Sequence, residues 1–187
     1  DADAFLVRRE VSLPLNLEMG NTPEMVDLAL RLKPDYVCMV PESREEITTE
    51  GGLDALLHFN ELAPSIRKMA DAGIQVSLFI DPEIAQIEAA ARLGVPMVEL
   101  HTGCFANHFG DERLAEIARL CESAEAARSA GILVNAGHGI NYSNLADLVA
   151  VPHLHELNIG HTIVSRALSV GMEQAVCEMK SEMTRLF

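Results

Sequence analysis

The stretch Gln75–His101, QVSLFIDPEIAQIEAAARLGVPMVELH, decides the fold class. It opens with a short, mostly apolar run, Gln75–Ile80, which ends at the acid Asp81. Asp81-Pro82-Glu83 then offers an N-cap, a proline for the first turn and an early acidic residue, the signals that start a helix. Ile84–Leu93 carries helix-forming residues, and Gly94 supplies the stop. Met97–His101 is apolar again. A strand, a helix and a second strand in so short a span fit one parallel βαβ unit.

The same alternation runs outward in both directions. Strands are expected at Leu13–Met19, Tyr36–Val40, Gln75–Ile80, Met97–His101, Leu133–Asn135 and Glu156–Ile159. Each is mostly apolar without clean alternation, as for strands covered on both faces. Asn21-Thr22-Pro23-Glu24 opens one intervening helix, while Asp71-Ala72-Gly73 and Ser129-Ala130-Gly131 close others. Asn141-Tyr142-Ser143-Asn144 starts another helix, and Val164–Leu186 is expected to be largely helical. Asp1–Arg9 has the pattern of an amphipathic helix. No linker divides the 187 residues, so a single domain over 1–187 is expected. Six units suit an open doubly wound sheet, or a barrel lacking two strands. Periodicity alone does not choose between them.

Composition narrows the partners. The net charge is −14, from 28 acidic and 14 basic residues. That balance repels nucleic acid and anionic membrane surfaces, so neither is expected as a partner. Nearly half of the residues are hydrophobic, yet no run approaches a bilayer span, and no leader-like segment opens the chain. A soluble, cytoplasmic protein is expected. Cys38, Cys104, Cys121 and Cys177 are widely spaced and read as reduced thiols, mostly in packing roles.

The ends of the strands carry the chemistry. Asn16 and Glu18 lie in the first, Glu42 follows the second and Asp81 follows the third. Glu99, His101 and Thr102 end the fourth, Asn135 and His138 the fifth, Asn158 and His161 the sixth. A carboxylate or imidazole there is costly to bury unless paired. Its recurrence at successive strand ends marks a catalytic or ligand-binding rim, the edge parallel α/β folds use. Asn135-Ala136-Gly137-His138-Gly139 and Asn158-Ile159-Gly160-His161-Thr162 each run from a strand end into a turn before a helix. Backbone N–H groups in such turns hold phosphate without a basic side chain, which suits so acidic a chain. Thr48-Thr49-Glu50-Gly51-Gly52-Leu53-Asp54 has, by composition, only the character of a mobile polar loop. Lys33, Lys68 and Lys180 are the three lysines, and none falls at a strand's carboxyl end, which disfavours a lysine Schiff base.

Several of these strings resemble the pyridoxine 5′-phosphate synthase family. They are Asn16-Leu17-Glu18-Met19, Val40-Pro41-Glu42 through Asp54, Val76–Asp81, Glu99-Leu100-His101-Thr102-Gly103-Cys104, Val134–Asn141 and Glu156–His161, in order along the whole chain. The resemblance implies a (β/α)8 TIM barrel, with about six of its eight βα units in this chain, and assembly into an octamer. It implies a further N-terminal segment supplying two strands, another catalytic histidine and phosphate-binding arginines. The implied reaction condenses 1-deoxy-D-xylulose 5-phosphate with 3-amino-2-oxopropyl phosphate, giving pyridoxine 5′-phosphate, phosphate and water, with no metal or organic cofactor. By resemblance Glu18 is a general base, His138 a general acid and Glu99 a supporting carboxylate. Thr48 contacts the ligand, and Gly139, Gly160 and His161 hold phosphate.

Two other functions compete. His101, His138 and His161 with Glu18 and Glu99 could ligate a metal in a barrel hydrolase. A chain without the N-terminal segment could be a truncated, non-catalytic barrel subunit. For Glu18 alone the competing role is a strand carboxylate paired to a neighbour, and for His138 a turn residue capping a helix.

Overall fold

The computed structural model of the chain describes residues 2–41 and 51–187. Six parallel strands form one sheet in sequence order: β1 (Asn16–Met19), β2 (Tyr36–Met39), β3 (Gln75–Ile80), β4 (Met97–His101), β5 (Leu133–Gly137) and β6 (Leu154–Asn158). The order rules out the doubly wound alternative, because every crossover returns to the adjacent strand. The sheet curls into part of a barrel, and β1 and β6 are each paired on one side only.

Strand residues do alternate, which the apolar runs concealed. Val37, Met39, Val76, Leu78, Ile80, Val98, Leu100 and Val134 belong to one buried apolar core. Helix residues Val26, Ala29, Leu62, Ile66, Ile87, Leu120 and Ala124 pack into the same core. Full burial of a Leu or Ile side chain contributes roughly 1.5–3 kcal/mol, so this layer dominates cohesion. The intervening positions, among them Glu18, Cys38, Ser77, Glu99 and Asn135, occupy the other face. That face is polar toward the strands' carboxyl ends.

The helices begin and end for local reasons. In α2 (Pro23–Leu32), the Thr22 hydroxyl accepts from the Met25 N–H at 3.1 Å, and Lys33 ends the helix in a left-handed conformation. In α4 (Ile84–Leu93) the cap is Glu83, and Gly94 closes it. Asp81 therefore does not cap α4 with its side chain, contrary to the sequence reading; it is used in the site. Between them lies α3 (Phe59–Asp71), and α6 (Gly110–Ser129) follows the short α5 (Gly103–Asn107). Asn141–Asn144 leads into a short 3-10 helix, Leu145–Ala150, rather than a full α-helix.

The expected helix Val164–Leu186 starts earlier and is broken. It is α7 (His161–Val170) and α8 (Met172–Leu186), separated at Gly171. The N-terminal helix α1 (Ala2–Glu10) buries no residue fully; the Arg31 guanidinium of α2 sits 5.9 Å from its Phe5 ring, and its Arg8 donates to Asp35 at 2.7 Å. Among the described residues, no helix is long and apolar enough to cross a membrane.

Candidate active site

At the strands' carboxyl ends lies a cavity of about 600 Å³. Every strand contributes to its wall: Glu18 from β1, Val40 after β2, Phe79 from β3, Glu99 from β4, His138 after β5 and Asn158 from β6. Gly139, in the turn after β5, and Gly160 and His161, at the start of α7, complete it. The structure thus brings Glu18, Glu99, His138, Gly139, Gly160 and His161 to one cavity. Thr48 and Glu42 lie outside the described residues.

Glu99 is the buried member of the set, with 4% of its surface exposed. Asn158 Nδ2 donates to its Oε2 at 2.5 Å, and the Cys38 thiol donates to the same oxygen at 3.4 Å. Burial pushes its carboxyl from the usual 4.5 up to about 7. The Glu18 and Glu156 carboxylates push the same way, while the two hydrogen bonds oppose. Glu99 is therefore poised to take or give a proton near neutral pH. The Cys38 thiol is pushed up, first by burial and then by the Glu99 charge, so it acts here as a donor rather than a thiolate.

His138 is held at φ 83°, a region uncommon for any residue but glycine. The Thr102 hydroxyl lies 2.7 Å from the Gly137 carbonyl and 2.6 Å from that of His138, and the Thr102 N–H donates to Gly137 O at 2.9 Å. A backbone conformation costing about 1–3 kcal/mol persists where surrounding contacts fix it, and such positions cluster at functional sites.

A second pair backs His138. His101 is buried, and its Nδ1 lies 3.0 Å from Asp81 Oδ1. That bond, chiefly, holds the Asp81 carboxyl below the usual range. The same oxygen accepts the Gly52 N–H at 3.0 Å, and Leu53 N donates to Phe79 O at 2.7 Å. Gly52 and Leu53 are thus bonded to the end of β3, while Thr48–Glu50 of the same polar loop lie outside the described residues. The His101 ring meets His138 edge-on at 5.1 Å between centroids, and Phe79 at 5.0 Å.

Four of the five polar residues weighed as metal ligands, Glu18, Glu99, His138 and His161, line this cavity, but they do not close on a common metal position. Among the described residues, no three His, Cys, Asp or Glu side chains converge in a metal-binding arrangement. The sequence reading missed Cys38 and Phe79. Cys38 carries no local signal, since its role depends on a strand 61 residues away.

The chain matches the model of a family described as pyridoxal phosphate biosynthesis protein PdxJ, over residues 1–185. It is 74% identical over 187 residues to a pyridoxine 5′-phosphate synthase of Akkermansia muciniphila, covering 100% of this chain and 76% of that one. It is 51% identical over 185 residues to the enzyme of the same name from Opitutus terrae, covering 98% and 75%. Among solved structures, a xylose isomerase domain protein from Planctomyces limnophilus superposes with a TM-score of 0.54 at 15% identity. That match covers 83% of this chain and 69% of the other, and it speaks to fold alone.

Proposed function

The chain belongs to the PdxJ family of vitamin B6 biosynthesis enzymes, and from that premise we propose the reaction and the residues that carry it. The substrates are 1-deoxy-D-xylulose 5-phosphate and 3-amino-2-oxopropyl phosphate, and the products pyridoxine 5′-phosphate, phosphate and water. The observation that carries this reading is the meeting of Glu18, Glu99 and His138 on one cavity with the glycine turns at Gly139 and Gly160.

Closing a pyridine ring requires imine formation, enolisation and loss of water and phosphate. Each step moves a proton between carbon, nitrogen or oxygen and a group on the protein. Glu18 removes protons as general base, and His138 supplies them to departing oxygen. Glu99, near neutral in pKa, supports both by exchanging its own proton. Gly139, Gly160 and His161 hold a substrate phosphate at the α7 N-terminus, where unpaired N–H groups and the helix dipole favour an anion. Thr48 is the remaining ligand contact in this reading. No organic cofactor or metal enters it.

For the full-length protein we read a single (β/α)8 barrel, a homo-octamer in the cytoplasm. The half-paired end strands β1 and β6 support closure by further strands, and the Akkermansia relative is longer than this chain. Phe109 and Leu168, exposed at 73% and 88%, are apolar surface available to a second copy.

The test is to incubate the full-length enzyme with both substrates and follow pyridoxine 5′-phosphate by mass. Absence of product from folded enzyme refutes the reading. Sedimentation of the same preparation checks the octamer.

A further inference from the structure

Glu99 has two carboxyl oxygens in different surroundings. Oε2 takes two donors, Asn158 Nδ2 from β6 and Cys38 Sγ from β2. Oε1 lies over Gly137 of β5, where an added Cβ would overlap it. Three other strands therefore hold one side chain of β4: β2 and β6 by donors, β5 by a missing side chain.

We propose that Cys38 and Asn158 are positioning residues that clamp Oε2 of Glu99, so that Oε1 is the oxygen that exchanges a proton with the substrate. The inference rests on the acid–base role given to Glu99 above. The chemistry follows from the inventory of a carboxyl group. When protonated, it has one carbonyl oxygen and one hydroxyl oxygen. Two donors on Oε2 favour it as the carbonyl, so the proton sits on Oε1. When Oε1 gives that proton to a departing substrate oxygen, the substrate C–O bond breaks with its electron pair going to the oxygen. The negative charge then spreads to Oε2, where two donors are already aimed. No reorganisation is needed at the moment of transfer. Cys38 is 1% exposed, so its polar contacts are those inside the sheet, with Glu99 and Ser77, and a redox role is unsuitable.

The other charged groups in play are Glu18 on β1 and Glu156 on β6, which oppose ionisation of Glu99, and His138 across the cavity. Removing a donor from Oε2 should therefore raise the Glu99 midpoint further, leaving those groups unchanged.

The experiment uses the full-length enzyme with Glu99→Gln, Asn158→Leu, Cys38→Ala and Cys38→Ser. Infrared difference spectra against Glu99→Gln isolate the Glu99 carboxyl band, whose pH midpoint is read in each variant without any turnover. Both Asn158→Leu and Cys38→Ala should move that midpoint upward. Each should lower kcat by about tenfold or more with KM within about twofold, the scale of a misplaced reacting group. Cys38→Ser, which keeps a donor, should restore both. Midpoints and kcat unmoved in Asn158→Leu and Cys38→Ala, with Glu99→Gln inactive, overturn the clamp alone. Wild-type turnover in Glu99→Gln would remove Glu99 from the mechanism, and this inference with it.

Discussion

A single carboxyl shows how far burial can change what a residue does. Glu18 of β1 and Glu99 of β4 are the same side chain on one cavity wall, yet Glu18 is exposed and Glu99 is not. Glu99 is pushed to about 7, so the folded chain holds its proton more tightly than the unfolded chain does. Its contribution to stability is full below about pH 4.5 and lost as pH rises through about 7. Glu99→Gln should therefore stabilise the protein at about pH 8, by up to the order of 3 kcal/mol, and change little at about pH 4. Denaturant melts at the two pH values check this; equal effects at both would contradict the buried, raised carboxyl. Catalysis is a separate test of the rim. Glu18→Gln and His138→Asn should each lower turnover by about 10²-fold or more while the melting midpoint holds. Thermal midpoint and kcat on the same full-length preparations decide, and near-wild-type turnover removes that residue from the proposed mechanism. Glu18, Glu99 and His138 were legible as strand-end polar groups. Their different environments were not, because burial is fixed by what the neighbouring strands place beside them.

Between elements, the joints are where local patterns fell short. The sequence from His161 to Leu186 has helix-forming character almost throughout, but Gly171 divides it at φ 85°, ψ 157°. That conformation is essentially restricted to glycine, and a Cβ there would meet nothing. Gly171→Ala should thus cost about 1–3 kcal/mol from backbone strain alone, with no steric clash. A melting midpoint equal to wild type would mean that α7 and α8 are not jointed this way. Asp81 shows the opposite case. Its Asp-Pro-Glu context is a good helix start, yet its carboxylate is drawn to His101 and to the Gly52 N–H. Asp81→Asn replaces a charged acceptor with an amide at both bonds and should destabilise by about 1–3 kcal/mol. It should also lower turnover, because residues 51–55 and the His101–His138 ring contact share this anchor. Limited proteolysis near residue 52 together with turnover reads both effects; unchanged cleavage and rate would show that the anchor is dispensable.

For the whole molecule, the expected signature of function is linkage between phosphate binding and stability. A ligand at 100 times its Kd stabilises the folded state by about 2.7 kcal/mol, so pyridoxine 5′-phosphate should raise the melting midpoint of the full-length enzyme. Gly160→Asp, which adds a negative charge where the cavity meets α7, should abolish that rise and leave the ligand-free midpoint nearly unchanged, since a Cβ at Gly160 has open space. A rise as large as wild type in Gly160→Asp would place the phosphate elsewhere. The sequence by itself determined the alternation of strands and helices, the parallel βα class and the polar rim at the strand ends. These are written locally, in apolar runs, caps and glycine stops whose physics needs only neighbouring residues. Tertiary structure alone decided that the strands follow one another in order, that Cys38 and Asn158 share one oxygen of Glu99, and that Asp81 serves His101 instead of a helix. Those contacts join residues 61, 59 and 20 positions apart, and the register of one strand against the next sets them. Register minimises the free energy of the packed sheet as a whole, so no short stretch of chain contains it.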